Sequence, residues 1–337
     1  MDNSNSDFTN RIKQEIRTFS KVHDEGGVSS SIPSIFTYWA SRYLSPRLRE
    51  VFGEHDINSL FAGEIVERAN ILNKTNLLTC ISLGSGDCSA EFDIVSKVIS
   101  KGVNIKMTCT DINPSLMSFS EKKAQEIGLK NHFTFETFDI NSQFSEHNHD
   151  VVFVNHALHH FVELEKIFNN VLSHLNDNGA FIISDMIGRN GHQRWGEALV
   201  WVEALWKLLP PEKKINNFTK HIDEPYINFD CSEGNFEGIR SQDIMPLLLK
   251  DFHFEKFVGL GNVIDIFIDR IYGHNYSINN EWDISFIDLV ENINSNLIDS
   301  GIVKPTAMFA TLVKKHSNNK PCIYSKWSPE FSLRKPS

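Results

Sequence analysis

Gly84-Ser85-Gly86 follows the apolar run Leu78 to Leu83 and precedes a helix-like segment, and it is the first spacing in the chain that chemistry could use. Asp111 closes a second apolar run, Ile105 to Thr110. Glycines at the end of a buried strand let the backbone turn tightly and approach a ligand with no Cβ in the way. An acid at the tip of the next strand can accept hydrogen bonds from both ribose hydroxyls. In this order the parts suit an adenosyl cofactor. A second polar concentration runs from Asp185 through Arg189, His192 and Arg194 to Trp195. Arg189 or Arg194 can clamp an anionic acceptor with two parallel hydrogen bonds, with His192 and Trp195 beside them. An exposed helix start with solvated charges suits the same residues equally.

These groups need elements to hold them. From Leu77 onward, strand-like runs alternate with helix-length segments: strands at Leu78 to Leu83, Ile105 to Thr110, Phe133 to Phe138, Val151 to Val154 and Ala180 to Ser184, and helices at Ser89 to Ser100, Pro114 to Ile127 and Glu163 to Leu175. Such alternation implies parallel pairing in a doubly wound sheet. Beyond Asp185 the regularity stops. A helix with Trp195, Trp201 and Trp206 is expected over Gly191 to Leu209, then a polar stretch to Gly238. Further helices are expected at Gln242 to Asp251, Val263 to Ile271 and Ile284 to Ile298, and strands at Phe254 to Leu260 and Thr306 to Val313. The first 75 residues read as helical over Phe8 to Phe19 and Ser34 to Phe52, punctuated by Pro33 and Pro46, with a Gly/Ser-rich linker at His23 to Ser31.

At 337 residues the chain suits one core with appended helices. The expected organisation is an N-terminal helical cap at 1–75, a cofactor-binding domain at 76–315 with helical insertions about 190–240 and 262–300, and a tail at 316–337. A net charge of −10 disfavours nucleic acid, whose phosphates demand basic patches. No run approaches the ~18 apolar residues of a membrane span, and no leader is evident in the polar start. Five scattered cysteines without Cys-x-x-Cys spacing read as reduced thiols. The expected location is cytoplasmic, the expected partner a small-molecule substrate, and a homodimer stays open.

The run Ser82-Leu83-Gly84-Ser85-Gly86-Asp87-Cys88, Asp111, the segment Thr137-Phe138-Asp139-Ile140, and Asn155-His156-Ala157-Leu158-His159-His160-Phe161 together resemble the class I S-adenosylmethionine-dependent methyltransferases of small-molecule type. Ser82 stands where the family carries an acid, and Cys88 where it carries a third glycine. The resemblance implies a mostly parallel, doubly wound seven-stranded α/β sheet, with N-terminal and inserted helices as a lid, and S-adenosylmethionine as cofactor. It implies that Gly84, Ser85, Gly86, Asp111, Ile112, Asp139, Ile140 and Asn155 line the cofactor site, Asp111 on the ribose, Asp139 near the adenine amino group and Ile140 on the adenine face. A dinucleotide dehydrogenase would need Gly-x-Gly-x-x-Gly, whose last position is Ser89. An Asn-Pro-Pro-aromatic tetrad, the mark of base methylation, is replaced by Asn155-His156-Ala157-Leu158.

Methyl transfer from a sulfonium demands alignment and removal of at most one proton. The bases expected at the ends of the fourth and fifth strands are His156 first and Asp185 second, with Asn155 and His159 beside them. Packing at a helix start explains His159 and His160 better than a catalytic role does. Trp201 and Trp206 suit core or lid packing, and Phe36, Tyr38, Trp39, Arg42 and Tyr43 suit helix packing as well as closure over the donor. No metal site is expected, since Asp185 lacks a following Asp-Asn pair and His147 and His149 read as solvated. The expected function is metal-independent methylation of an oxygen or nitrogen of a small metabolite. Two alternatives are a different reaction that uses the bound sulfonium electrostatically and a non-catalytic cofactor-binding protein.

Overall fold

The computed structural model describes residues 11–14, 16–17, 20–21, 32–74, 76–315 and 320–334. Eight strands form one sheet: β1 (Leu78–Leu83), β2 (Ile105–Asp111), β3 (Phe133–Thr137), β4 (His149–Asn155), β5 (Leu175–Met186), β6 (Phe252–Leu260), β7 (Ala307–Lys314) and β8 (Cys322–Ile323). Their order is β3-β2-β1-β4-β5-β7-β6-β8. Strands β1 to β5 pair in parallel, and β7 runs antiparallel to both β5 and β6. The two-residue β8 pairs in parallel with β6 and extends the seven expected strands at one edge.

The strands alternate the faces on which they bury side chains. Cys80 of β1 joins one apolar cluster, with Phe61 and Ile65 of the Ile57–Ile71 helix and Ile94, Val95 and Val98 of the Ser89–Ser100 helix. Ile81 and Leu83 join the other, with Phe168 and Val171 of the Leu164–His174 helix and Ile244 and Leu248 of the Ser241–Asp251 helix. The result is helix, sheet, helix. Phe61 packs against Phe153 at 5.0 Å and Phe309 at 5.1 Å between ring centroids, and burying each such ring stabilises the fold by about 1.5 to 3 kcal/mol. The same helix carries buried Glu64, paired with Lys256 at 2.7 Å and accepting from Thr311 Oγ1 at 2.6 Å.

Because β1 leads to β2 and β3 on one side and the chain then returns to β4 on the other, the order reverses between β1 and β4. That reversal opens a crevice at the strands' C-terminal ends, where open α/β sheets bind ligands. Gly84, Asp111, Asn155 and Met186 all lie at or just beyond those ends.

Among the described residues several expected elements differ, and the helix expected at Val263 to Ile271 is reduced to Asp265–Ile268. Ser34 to Phe52 is helical throughout but includes a π-helical turn at Ala40–Leu44 directly before Pro46, a local widening where a residue with no N–H to donate interrupts the regular ladder. The expected Gly191 to Leu209 helix starts later, at Gly196, and ends at Trp206. Gly191 and His192 take φ of 61° and 56°, and the Gly191 N–H donates to Gly238 O at 2.9 Å while its carbonyl accepts from Cys231 N at 2.9 Å. This pinning replaces helix with a 3-10 turn at Asn190–His192. The expected helix at Phe8 to Phe19 lies partly outside the described residues, of which 11–14, 16–17 and 20–21 are helical, and the linker at 23–31 lies wholly outside them.

Candidate functional site

The glycine turn is built on its neighbours. Gly84 and Gly86 take φ of 71° and 55°. A Cβ on Gly84 would stand 2.7 Å from Ala157 Cβ, whereas one on Gly86 would meet nothing within 4 Å. Gly84 is thus required by packing against the β4 turn, and Gly86 leaves open space at the crevice. Ser85 N–H donates to Thr110 O at 2.9 Å, and Gly86 N–H to Asp111 Oδ2 at 2.9 Å. Asp111 Oδ1 accepts from Asn113 N at 2.8 Å. Burial raises the Asp111 pKa against these backbone donors, and each oxygen keeps a lone pair for a ribose hydroxyl.

The remaining cofactor-side residues line the same strand ends. Asp139 Oδ1 accepts from the backbone and side-chain nitrogens of Asn141 at 3.0 and 2.9 Å. Ile112 is half-buried next to Asp111, while Ile140 is buried in the cluster of Ile81, Leu83 and Phe161. Asn155 Oδ1 is buried with no hydrogen-bond partner. Such an orphaned acceptor at the crevice fits a ligand donor. Glu91 is a residue that sequence reasoning missed. From the first turn of the Ser89–Ser100 helix its Oε1 accepts from Ser82 Oγ at 2.7 Å, placing a carboxyl at the position where Ser82 lacks one. Burial pushes its pKa up to about 7.

At the ends of β4 and β5 the centre is Asp185. Its fully buried carboxylate accepts from Ala157 N (3.0 Å), Leu158 N (2.7 Å), His159 N (3.3 Å) and Met186 N (2.7 Å), and from His159 Nδ1 at 2.6 Å. With five donors around it Asp185 is saturated with hydrogen bonds within the protein, an arrangement that suits a positioning group better than the second-choice base expected from the sequence. Burial opposes its ionisation, but the His159 imidazolium and these donors hold its pKa below the usual value. His159 Nε2 points at Glu237, 3.4 Å from Oε1. Burial alone would lower the His159 pKa, yet the two carboxylates push it up to about 10. His192 Nε2 lies 2.7 Å from Glu237 Oε1 and His160 Nε2 lies 3.6 Å from Oε2. His159 and His160 are therefore more than helix-start packing.

His156 takes φ of 52°, is exposed just beyond the end of β4, and lies with its ring centroid 6.5 Å from that of His159. Although the residue keeps contact with solvent, the protein atoms crowded around it desolvate the charged form and lower its pKa, with Asp185 opposing and His159, Arg270 and His192 assisting. Of the four expected substrate residues, only His192 joins this cluster. Arg189 is half-buried and its Nη1 donates to Arg194 O at 3.2 Å. Arg194 is buried, bound to Asp265 at 3.2 Å and to His192 O at 3.2 Å, so it is committed to structure rather than to an anionic clamp. Trp195 lies beneath the Arg334 guanidinium, 4.8 Å from its ring centroid. Trp206 is buried as expected, whereas Trp201 is exposed.

The aromatic group near the N-terminus packs on the Glu281–Asp299 helix. Tyr38 and Tyr43 hydroxyls donate to Asp288 at 2.9 and 2.8 Å, and Trp39 Nε1 to Glu291 at 2.8 Å. His147 is exposed, but His149 is buried and close to Ser145 Oγ at 3.2 Å, contrary to the solvated reading; burial lowers its pKa to about 4.

Residues 74–236 match a family model described as a methyltransferase domain. Strand order, the glycine turn and Asp111 agree with it. This stretch is a class I S-adenosylmethionine-dependent methyltransferase domain. S-adenosylmethionine is the cofactor of such a domain, and the open space at Gly86, the free Asn155 Oδ1 and the lone pairs of Asp111 fit it. A search of curated proteins finds no match. Among solved structures, the methyltransferase domain is similar to the DszA carbon methyltransferase (17% identity, 39% of this chain and 35% of that one, TM-score 0.35). It is also similar to an S-adenosylmethionine-dependent methyltransferase from Clostridium acetobutylicum (17%, 42% and 59%, TM-score 0.33). A third is the plantazolicin methyltransferase BpumL in complex with SAH (13%, 92% and 96%, TM-score 0.42). The chain spans about a third of the first of these and 59% of the second. Likeness at this level carries no argument about activity. No helix among the described residues is long and apolar enough to cross a membrane.

Proposed function

We propose that this protein transfers the methyl group of S-adenosylmethionine to an oxygen or nitrogen of a small metabolite. The observation that carries the reading is that one crevice holds both halves of the chemistry: the glycine turn with Asp111 on the β1 and β2 side, and the exposed His156 at the end of β4. The cofactor supplies an activated methyl carbon. Asp111 accepts the ribose hydroxyls, with Ile112 beside it. Asp139 approaches the adenine amino group, Ile140 contributes to the apolar floor, and Gly84, Ser85 and Gly86 let the backbone pass close. Asn155 Oδ1 accepts a donor from the cofactor.

The acceptor sits between this site and the turn at Asn190–His192. His156 would take the proton that the oxygen or nitrogen loses as its bond to the methyl carbon forms and the carbon–sulfur bond breaks, the electron pair staying on sulfur in the demethylated cofactor, while Asp185 holds the β4 turn through its backbone N–H groups. Alignment contributes most of the acceleration.

The test is to incubate the protein with methyl-labelled cofactor and pooled metabolites and to trace the label. Label in a small molecule, lost in His156→Ala by about 10² to 10⁴ in rate with affinity for the demethylated cofactor unchanged, supports the reading. A metabolite converted without label would instead identify a reaction that uses the sulfonium only electrostatically.

A further inference from the structure

Three donor atoms converge beside the crevice that the proposed transfer does not use. His192 Nε2 is 2.7 Å from Glu237 Oε1, His159 Nε2 is 3.4 Å from the same oxygen, and one ligand atom from each of the three lies within 4.8 Å of the others. Donors sharing an ion through bonds of about 2.0 to 2.2 Å stand about 3 to 4 Å apart, so these side chains need only small movements to enclose one. They come from three separate segments: the turn after β4, the turn after β5, and the loop before the Ser241–Asp251 helix. Separate segments meet here because Gly191 N–H is bonded to Gly238 O and Cys231 N–H to Gly191 O, which locks the His192 turn against the loop carrying Glu237.

The support behind the donors is that of a coordination site. His159 Nδ1 donates to Asp185 at 2.6 Å, which fixes the ring plane and leaves Nε2 as the nitrogen that can bind a metal once the ion displaces its proton. A carboxylate behind a histidine is the usual way metal-binding imidazoles are oriented. Asp185 is itself fixed by four backbone N–H groups. The Glu237 side chain is 40% exposed and that of His192 20%, so an ion and an exchangeable ligand could enter from that side. Two imidazoles and one carboxylate suit first-row divalent metals; magnesium and calcium take oxygen sets.

We propose that His159, His192 and Glu237 bind one first-row divalent transition-metal ion, with Asp185 as the positioning residue behind His159. This departs from the metal-free expectation, which weighed Asp185, His147 and His149 and had no reason to join Glu237 to the histidines. The site stands on its own geometry and is tested without turnover.

The experiment strips the full chain with a chelator and titrates it with Co²⁺, reading the visible d–d absorption and the bound metal by elemental analysis. One Co²⁺ per chain is expected, weakened at least tenfold in both Glu237→Gln and His192→Ala. Asp185→Asn should keep all three ligands and lose about 10- to 100-fold in affinity. Calorimetry with the demethylated cofactor serves as the control for folding: retained affinity in Glu237→Gln and His192→Ala shows that loss of metal is local. Should Glu237→Gln fail to fold, His192→Ala decides. A wild-type chain that binds no Co²⁺, or variants that bind it as tightly as wild type, would overturn the site and leave the cluster a set of proton-shared pairs. A chain that takes up Co²⁺ but not the demethylated cofactor would count against the methyl-transfer reading and leave the metal site standing.

Discussion

Glu91 shows how a single side chain can fill a gap left by its neighbour. The acid missing at Ser82 is supplied nine residues later, from a helix, through a 2.7 Å contact. The arrangement has a cost that depends on pH. Its pKa rises from 4.5 to about 7 on folding, so between those values the unfolded chain ionises while the folded one holds its proton. The contribution of Glu91 to stability is therefore complete below pH 4.5 and lost as pH climbs through about 7. Replacing it by Gln removes that dependence. Urea unfolding should show the variant gaining on wild type by on the order of 3 kcal/mol between pH 4.5 and 8, and a difference that stays constant over that range would show that Glu91 ionises freely in the folded state.

At the scale of elements, the two glycines of the turn have separate reasons to be glycine. Both lie at positive φ, where an alanine costs about 1 to 2 kcal/mol. Gly84→Ala would also drive its Cβ to 2.7 Å from Ala157, adding about 1 to 3 kcal/mol of overpacking. Gly86→Ala meets no protein atom and should instead obstruct the cofactor. Chemical denaturation should rank Gly84→Ala as the more destabilising, with equal losses counting against the close approach to the β4 turn. The alternation of apolar runs and helical periods made β1 to β5 and this turn legible beforehand, because local patterning and parallel pairing obey the same spacing. The acceptor side was not legible. Glu237 lies 45 residues from His192, in a polar stretch without periodicity, and tertiary pairing of Gly191 with Gly238 and Cys231 brings them together. The same pairing delays the start of the expected Gly191 to Leu209 helix to Gly196.

Across the whole molecule, N-terminal residues reach the strand ends that border the crevice. Ser20 Oγ accepts from Asn113 Nδ2 at 2.9 Å, next to Asp111, and Arg11 donates to Asn235 O at 3.3 Å. N-terminal residues therefore bridge the cofactor turn and the segment that carries Glu237. The tail is docked as well, with Trp327 buried and its Nε1 bonded to Asp299 at 2.7 Å. A lid made of the N-terminal residues and residues 190–240 should open to admit ligand, and elements that open come from the less stable parts of a fold. Amide exchange in residues 190–240 should slow on binding the demethylated cofactor while β1, β4 and β5 stay unchanged. Exchange that is the same with and without ligand would make these segments fixed walls.

The central claim, that the crevice between β1 and β4 holds S-adenosylmethionine through Asp111, is tested most directly by calorimetry of the cofactor and its demethylated product on wild type and Asp111→Ala. Removing the carboxylate takes away charge-assisted bonds to both ribose hydroxyls, so the account predicts one site per chain and a loss on the order of 2 to 3 kcal/mol in the variant. Affinity unchanged by Asp111→Ala would contradict it.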